Sequence, residues 1–420
     1  MFIRRKSQSE LITGLDIGST AIRVAVANQV TGGGKFDLQL VGLIEVPAEG
    51  VHRGVITSIE ETVSSISHAL EQTERLIGVP IEHAWVGISG SHVVAQESKG
   101  VVAVAKSDGE IAGDDVARAV EAAGAIAPPL NYEVLHVLPR TFTVDGQTGI
   151  KDPVGMTGVR LEVDTQIIHG STSHIKNLTK AVYRTGIDID DLILSVLAVG
   201  DAVVTPRQKE LGVGVVNIGG STTSVLVYEE GDILHAAVLP IGSEHVTSDL
   251  AIGLKSSIEV AEYVKRDFGA CVAGDISKKE RMDLVNAGGE MNEDVSLKHI
   301  AEIIQARMEE ILEKVEQEFI KAGRSQLLPA GVVFTGGGAK VARLIELAKY
   351  KLGLPASLGY PFDVRSASEK VNDLSFATAI GLAKWGAKIR QGKTPMGMSS
   401  QKGVEKISRR VKEWFKALVP

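Results

Sequence analysis

Cysteine is nearly absent from this chain: Cys271 is the one thiol among 420 residues. A lone thiol excludes a disulfide framework and a multi-thiolate metal site, and it fits a reducing compartment. Aromatic residues are scarce at 4%, and Trp85 and Trp385 read as packing residues rather than a binding platform. Long hydrophobic runs are missing as well. No stretch approaches the roughly 18 apolar residues of a membrane-spanning helix, and the basic first ten residues lack the apolar segment of a secretory signal. The ten histidines show no metal-ligand spacing, so no catalytic metal site is indicated by them. With 44% hydrophobic and 23% charged residues, the composition excludes a disordered, collagen-like or coiled-coil chain. The length allows two to four domains, each with its own core. A net charge of −7 predicts a mildly acidic cytoplasmic protein that does not bind nucleic acid.

Glycine is plentiful, with 45 residues, and its placement is informative. Apolar runs at 11–17, 21–27 and 38–46 predict strands. Ile59, Val63, Ile66, Leu70 and Ile77 then recur at helical spacing behind Ser58 and Glu61, the form of a capping box. Further strands are expected at 84–88, 100–105, 132–144, 159–168, 192–199, 213–218 and 332–335. Helices are expected at 114–123, 175–184, 243–253, 256–268, 297–321, 339–352 and 376–389. The run Leu15-Asp16-Ile17-Gly18-Ser19-Thr20 returns about 200 residues later as Val216-Asn217-Ile218-Gly219-Gly220-Ser221-Thr222, each followed by a hairpin return strand. Two related halves are the natural reading.

A third glycine run, Gly336-Gly337-Gly338, joins the strand at 332–335 to the helix expected at 339–352. Bare N–H groups in such turns form nests for phosphate oxygens, and Ser or Thr hydroxyls add donors. Glycine suits them because the backbone must approach the anion closely and visit positive φ. Two matched hairpins would grip a polyphosphate from opposite sides, and the third turn would place a helix N-terminus and flat backbone near the base or α-phosphate.

This arrangement resembles the actin/Hsp70/sugar-kinase ATPase superfamily and, within it, the FtsA family of bacterial cell-division proteins. The family likeness is carried by Leu138-Pro139-Arg140, by Asp152-Pro153-Val154-Gly155-Met156-Thr157-Gly158, and by His245-Val246-Thr247-Ser248-Asp249-Leu250-Ala251 with Ala261-Glu262-Tyr263-Val264-Lys265. It covers roughly residues 11–390. The resemblance implies ATP and Mg²⁺ as cofactors. Asp16 matches the acid that holds Mg²⁺ through water, a task suited to a carboxylate. Gly18, Ser19 and Thr20 match the first phosphate turn, and Gly219, Gly220, Ser221, Thr222 and Thr223 the second. Glu262 and Lys265 match the pair contacting ribose and base, although their i, i+3 spacing alone reads as a surface ion pair. Gly336, Gly337 and Gly338 match the adenosine-side turn.

Three positions depart from the pattern. Asn217 stands where related sequences usually carry Asp, and Ser224 where they have a second acid. Asn cannot take a proton, so general-base help is lost, and slow or absent hydrolysis is expected. Many relatives also carry Lys where this chain has Ala21, and Arg23 is the expected substitute toward the phosphates.

The last 20 residues form a separate unit. Val404, Ile407, Val411, Trp414, Phe415 and Leu418 line one face of a helix, and Arg409, Arg410, Lys412 and Lys416 are among the basic residues filling the remainder. About 15 residues at 1.5 Å each are too short to span a bilayer. The pattern predicts an amphipathic helix lying on an anionic membrane at 404–420, behind a polar linker at 391–403. Residues 401–420 carry +4, which leaves −11 for the other 400.

The expected architecture is an α/β, two-domain actin-like ATPase fold with an inserted subdomain and a C-terminal amphipathic helix. Residues 1–83 and 166–208, with the helix at 376–390, would form subdomain IA. Residues 84–165 would be the inserted subdomain IC, 209–240 and 300–375 subdomain IIA, and 241–299 subdomain IIB. The resemblance implies a self-assembling, ATP-binding protein on the cytoplasmic face of the membrane at the septum. There it would tether filaments of the tubulin-like FtsZ, whose C-terminal peptide would dock on subdomain IIB, and help recruit later division proteins. A type IV pilus assembly scaffold of the same superfamily and a small-molecule kinase are the alternatives.

Overall fold

The computed structural model of the chain describes residues 11–29, 38–277, 279–288 and 294–391. The repeat seen in the sequence is a repeat of topology. In the first half, Ile12–Ile17 turns back into Ala21–Gln29, which pairs antiparallel with Leu38–Pro47. On its other side Ile12–Ile17 runs parallel to His83–Ile88, and Asp188–Leu194 adds in parallel beyond that. In the second half Val213–Ile218, Thr223–Glu229 and Asp232–Leu239 form the same antiparallel trio. Val332–Thr335 and then Ala356–Leu358 extend that sheet in parallel. Tight turns suffice for the antiparallel neighbours, whereas each parallel neighbour needs a helical crossover. Helices such as Ile59–Ile77 in the first half and Leu297–Lys321 in the second supply them. The Ser58 hydroxyl accepts from the Glu61 N–H, as its capping pattern predicts.

Helices Ser195–Val203 and Ala377–Arg390 lie between the two sheets and share one core with both. Residues 192–199 were expected to form a strand, but only 188–194 do so. Every residue of 195–203 is buried, and a short apolar run without a polar face cannot declare its period. Burying Val196, Leu197 and Val199 contributes roughly 1.5–3 kcal/mol each. Helix–helix contact is close because Gly381 lies against the Ala198 carbonyl.

The inserted unit is a four-stranded antiparallel sheet ordered Val93–Ala103, Arg160–Ser171, Tyr132–Val144, Gln147–Ile150, with helix Gly113–Gly124 on one face. The expected boundaries at 84 and 165 each fall inside a strand. His83–Ile88 belongs to the first sheet, and Arg160–Ser171 pairs along its length within the inserted one. Residues 243–268 form two helices, Ser243–Gly253 and Ile258–Phe268, which share the core of the second half. The boundary expected at 300 lies inside helix Leu297–Lys321.

The helix expected at 339–352 is shorter. Gly337–Lys340 is a 3₁₀ turn, and the α-helix begins only at Leu344. Between them Ala342 bridges to Ala270, its carbonyl accepts from the Cys271 N–H at 2.8 Å, and Arg343 has φ 63°. Those cross-chain contacts hold the segment out of helical geometry. Cys271 itself is buried, and burial pushes its thiol up to about 12, which makes it inert at neutral pH.

No helix among the described residues is long and apolar enough to cross a membrane. The expected membrane-binding residues, Val404, Ile407, Arg409, Arg410, Val411, Lys412, Trp414, Phe415, Lys416 and Leu418, lie outside the described residues, as does the linker from 392 on.

Candidate functional site

The two glycine turns are built alike. The Gly18 N–H donates to the Ala21 carbonyl at 3.1 Å, and the Gly219 N–H donates to the Thr222 carbonyl at 2.8 Å. A Cβ on Gly18 would stand 2.8 Å from the Ala21 oxygen, and one on Gly219 would stand 3.0 Å from the Thr222 oxygen. Close approach, rather than left-handed backbone, demands glycine at both. Of the six glycines in the three turns, only Gly336 has positive φ, at 88°. The hairpin registers match too, with Asp16 opposite Arg23 and Asn217 opposite Ser224.

The turns face each other across the molecule. Ser221 Oγ donates to Ser19 Oγ at 2.6 Å, and a Cβ on Gly220 would strike the Thr20 side chain. Helix Ser243–Gly253 docks behind the second turn, with the Ser243 and Glu244 N–H groups donating to the Gly219 and Gly220 carbonyls at 2.9 and 2.7 Å. These turns open onto a cavity of about 920 Å³ between the halves, walled also by Glu262, Lys265, Gly337 and Gly338. The volume lies in the range of a cofactor site.

Asp16, next to last in strand Ile12–Ile17, pairs across the hairpin with cavity-lining Arg23 and is half-buried. Burial pushes its carboxyl up to about 6, against the opposing pull of Arg23. A hard divalent cation would favour the ionised form at this position, so the oxygen donor and its environment fit a magnesium-linked role. Arg23 lines the cavity but is already engaged, its Nε donating to Glu45 Oε2 at 2.6 Å.

Glu262 and Lys265 are not an ordinary surface pair. Lys265 is 6% exposed, and its Nζ donates to Glu262 Oε2 at 2.5 Å and to Thr247 Oγ1 at 2.8 Å. Thr247 Oγ1 in turn donates to Glu262 Oε2 at 2.6 Å. This network fixes both side chains on the wall facing Gly337 and Gly338.

Not every expected residue reaches the cavity. Thr223 is fully buried and its hydroxyl donates to the Ile241 carbonyl at 2.8 Å, so its side chain serves the fold. Gly336 abuts Asn217 Oδ1 and the Ile218 carbonyl and faces away from solvent space. The Asn217 amide lies 3.5 Å from Thr378 Oγ1 on the helix between the sheets. Sequence reasoning missed Thr247 and Lys340. The first lies in the quoted run 245–251, where its role was not separable from its neighbours. Lys340 pairs with Asp373 Oδ1 at 2.5 Å at the cavity's edge.

The family model "Cell division protein FtsA" matches residues 214–381, and "SHS2 domain inserted in FTSA" matches 90–169. The chain is 37% identical to the FtsA of Bacillus subtilis, with 90% of this chain and 84% of the relative covered. It is 34% identical to that of Pseudomonas aeruginosa over 96% and 97%. Among solved structures, the PilM–PilN type IV pilus biogenesis complex aligns at a TM-score of 0.64 and 18% identity, covering 89% of this chain and 98% of that one. MreB5 of Spiroplasma citri bound to ADP aligns at 0.53 and 11%, covering 91% and 98%. These two likenesses establish the fold alone. With relatives above 30% identity along nearly its whole length and an inserted sheet at the matched place, the chain belongs to the FtsA family of actin-like cell-division proteins.

Proposed function

We propose that the protein binds ATP in the cleft between its two halves and, in that state, self-assembles and tethers FtsZ filaments to the anionic inner membrane at the division septum. The observation that carries the nucleotide reading is the apposition of two matched glycine turns, joined by the Ser19–Ser221 hydrogen bond, over a cavity of about 920 Å³. Their N–H groups and hydroxyls suit the β- and γ-phosphates. The Glu262–Lys265–Thr247 network suits the ribose and base at the other end, beside Gly337 and Gly338. Solved relatives in fold include one bound to ADP.

Bound Mg²⁺ would neutralise phosphate charge, with Asp16 holding it through water. The chain's own residues orient the polyphosphate and close the two halves over it. Asn217 cannot accept a proton, so water activation lacks a base there and turnover is slow.

The tether rests on the amphipathic pattern of 404–420, whose basic residues favour an anionic surface at about 1 kcal/mol each. One such helix binds reversibly, and several in a polymer bind tightly by avidity. The FtsZ C-terminal peptide docks on the small subdomain around 241–299, and later division proteins join the same assembly. Vesicle co-sedimentation with ATP tests the tether. The full chain pellets with anionic vesicles and residues 1–400 do not; if both stay in the supernatant, the tether fails.

A further inference from the structure

Ala21 lines the cavity and is buried, and Arg23 is held by Glu45 at 2.6 Å. Acids crowd this end of the cavity: Glu45 and Glu244 line it and Asp16 adjoins it. A bound polyphosphate would add further negative charge, so an unengaged cation is needed.

One is present on the same wall. Strands Val51–His52 and Val55–Ile56 make a tight hairpin whose turn is Arg53–Gly54. The Gly54 N–H donates to Ser19 Oγ at 3.1 Å, which pins the hairpin to the first phosphate turn. Gly54 has φ 71° and packs against the Ser89 carbonyl, where a Cβ would clash, so the turn cannot shift in that direction. The Thr57 and Ser58 N–H groups close the hairpin's base on the Gly50 carbonyl at 2.8 and 3.2 Å. Arg53 itself is exposed, lines the cavity with Thr20, Gly219 and Gly220, and has no carboxylate partner among the described residues. Its backbone sits at φ 51°, a conformation that an arginine adopts only where the surrounding turn imposes it.

The geometry points to Arg53 as the residue that recognises the terminal phosphate, making the site selective for nucleoside triphosphate over diphosphate. This rests on the nucleotide reading above and specifies which ligand class the cleft prefers. The chemistry is suitable: a guanidinium fork binds a phosphate oxyanion pair in two parallel hydrogen bonds, and it is always charged. The hairpin that carries it is fixed to Ser19, so Arg53 approaches the phosphate end and not the base end, where Lys265 stands.

Titration calorimetry of the full chain with Mg-ATP and with Mg-ADP tests this. Arg53→Asn removes the charge while keeping a residue that tolerates left-handed backbone. Arg53→Gly is the second charge-free variant, and thermal unfolding confirms that each is folded. ATP affinity falls roughly tenfold or more in both, as expected for loss of a charge-assisted contact, while ADP affinity changes by less than about twofold. Arg53→Lys keeps part of the preference. Unchanged ATP affinity, or equal weakening of ATP and ADP, overturns the assignment. If the unsubstituted chain binds neither nucleotide, the nucleotide reading itself fails and this assignment falls with it.

Discussion

Ser221 donates a hydrogen bond to Ser19 at 2.6 Å across 202 positions of chain, joining the two glycine turns that the sequence repeats. Ser221 is 2% exposed, so its hydroxyl has little access to water in exchange. Ser221→Ala should cost about 1 kcal/mol of stability, the usual net worth of such a bond. It should also weaken Mg-ATP binding, because the two turns lose the contact that sets their spacing. Thermal unfolding with and without nucleotide measures both effects, and an unaltered ATP affinity would separate this bond from the site.

Asn217 stands in the second half where Asp16 stands in the first, opposite Ser224. Asn217→Asp keeps the shape and restores a group able to accept a proton. Phosphate release by the purified protein should be very slow and should rise about a hundredfold in the variant, the lower end of what a positioned base contributes. Fast turnover in the unsubstituted chain would contradict the role assigned to Asn217.

Asp16 should make nucleotide binding depend on pH. Its carboxyl is raised from 3.8 to about 6, chiefly by burial. A raised acid binds more protons in the folded than in the unfolded state between those values. For the nucleotide-free protein this contribution to stability is therefore full below about pH 4 and lost as pH rises through 6. Mg²⁺ held by Asp16 would need the ionised form, so the gain in ATP affinity from Mg²⁺ should fall about tenfold per pH unit below 6. Asp16→Asn should abolish both the gain and its pH dependence; calorimetry across pH 5–8 checks this.

A buried charge knot ties the helices between the sheets. Asp201 accepts from Lys209 Nζ at 3.2 Å and from Lys388 Nζ at 2.5 Å. Lys384 lies nearby, 2% exposed, with burial lowering it to about 8 and its Nζ donating to the Phe362 carbonyl at 2.9 Å. Removing the carboxylate that Lys209 and Lys388 share leaves them without this partner, so Asp201→Asn should destabilise by about 3–5 kcal/mol. Lys384→Met, which removes a cation and keeps volume, should cost far less. Chemical denaturation of the two variants gives the comparison.

The parts legible in sequence were those with a local cause. The turns at Gly18 and Gly219 are readable because the backbone there meets its own hairpin, a constraint written into a few adjacent residues. Ser58 and Glu61 announced their helix in the same way. What escaped depends on distant chain. Helix 195–203 has no polar face because both sheets cover it. The α-helix after the third glycine run starts late because Ala342 bridges to Ala270, which no local pattern records. Lys265 looked like a surface partner of Glu262 until its burial against Thr247 was seen. Arg53 carried no motif, and its one signal is the glycine that follows it in a short hairpin.

A crystal structure of the full chain with Mg²⁺ and a non-hydrolysable ATP analogue would show directly whether nucleotide occupies the cleft. Phosphates are expected between Gly18–Thr20 and Gly219–Thr222, with the base end beside Glu262 and Lys265. A nucleotide bound elsewhere, or an empty cleft at saturating analogue, would contradict this placement.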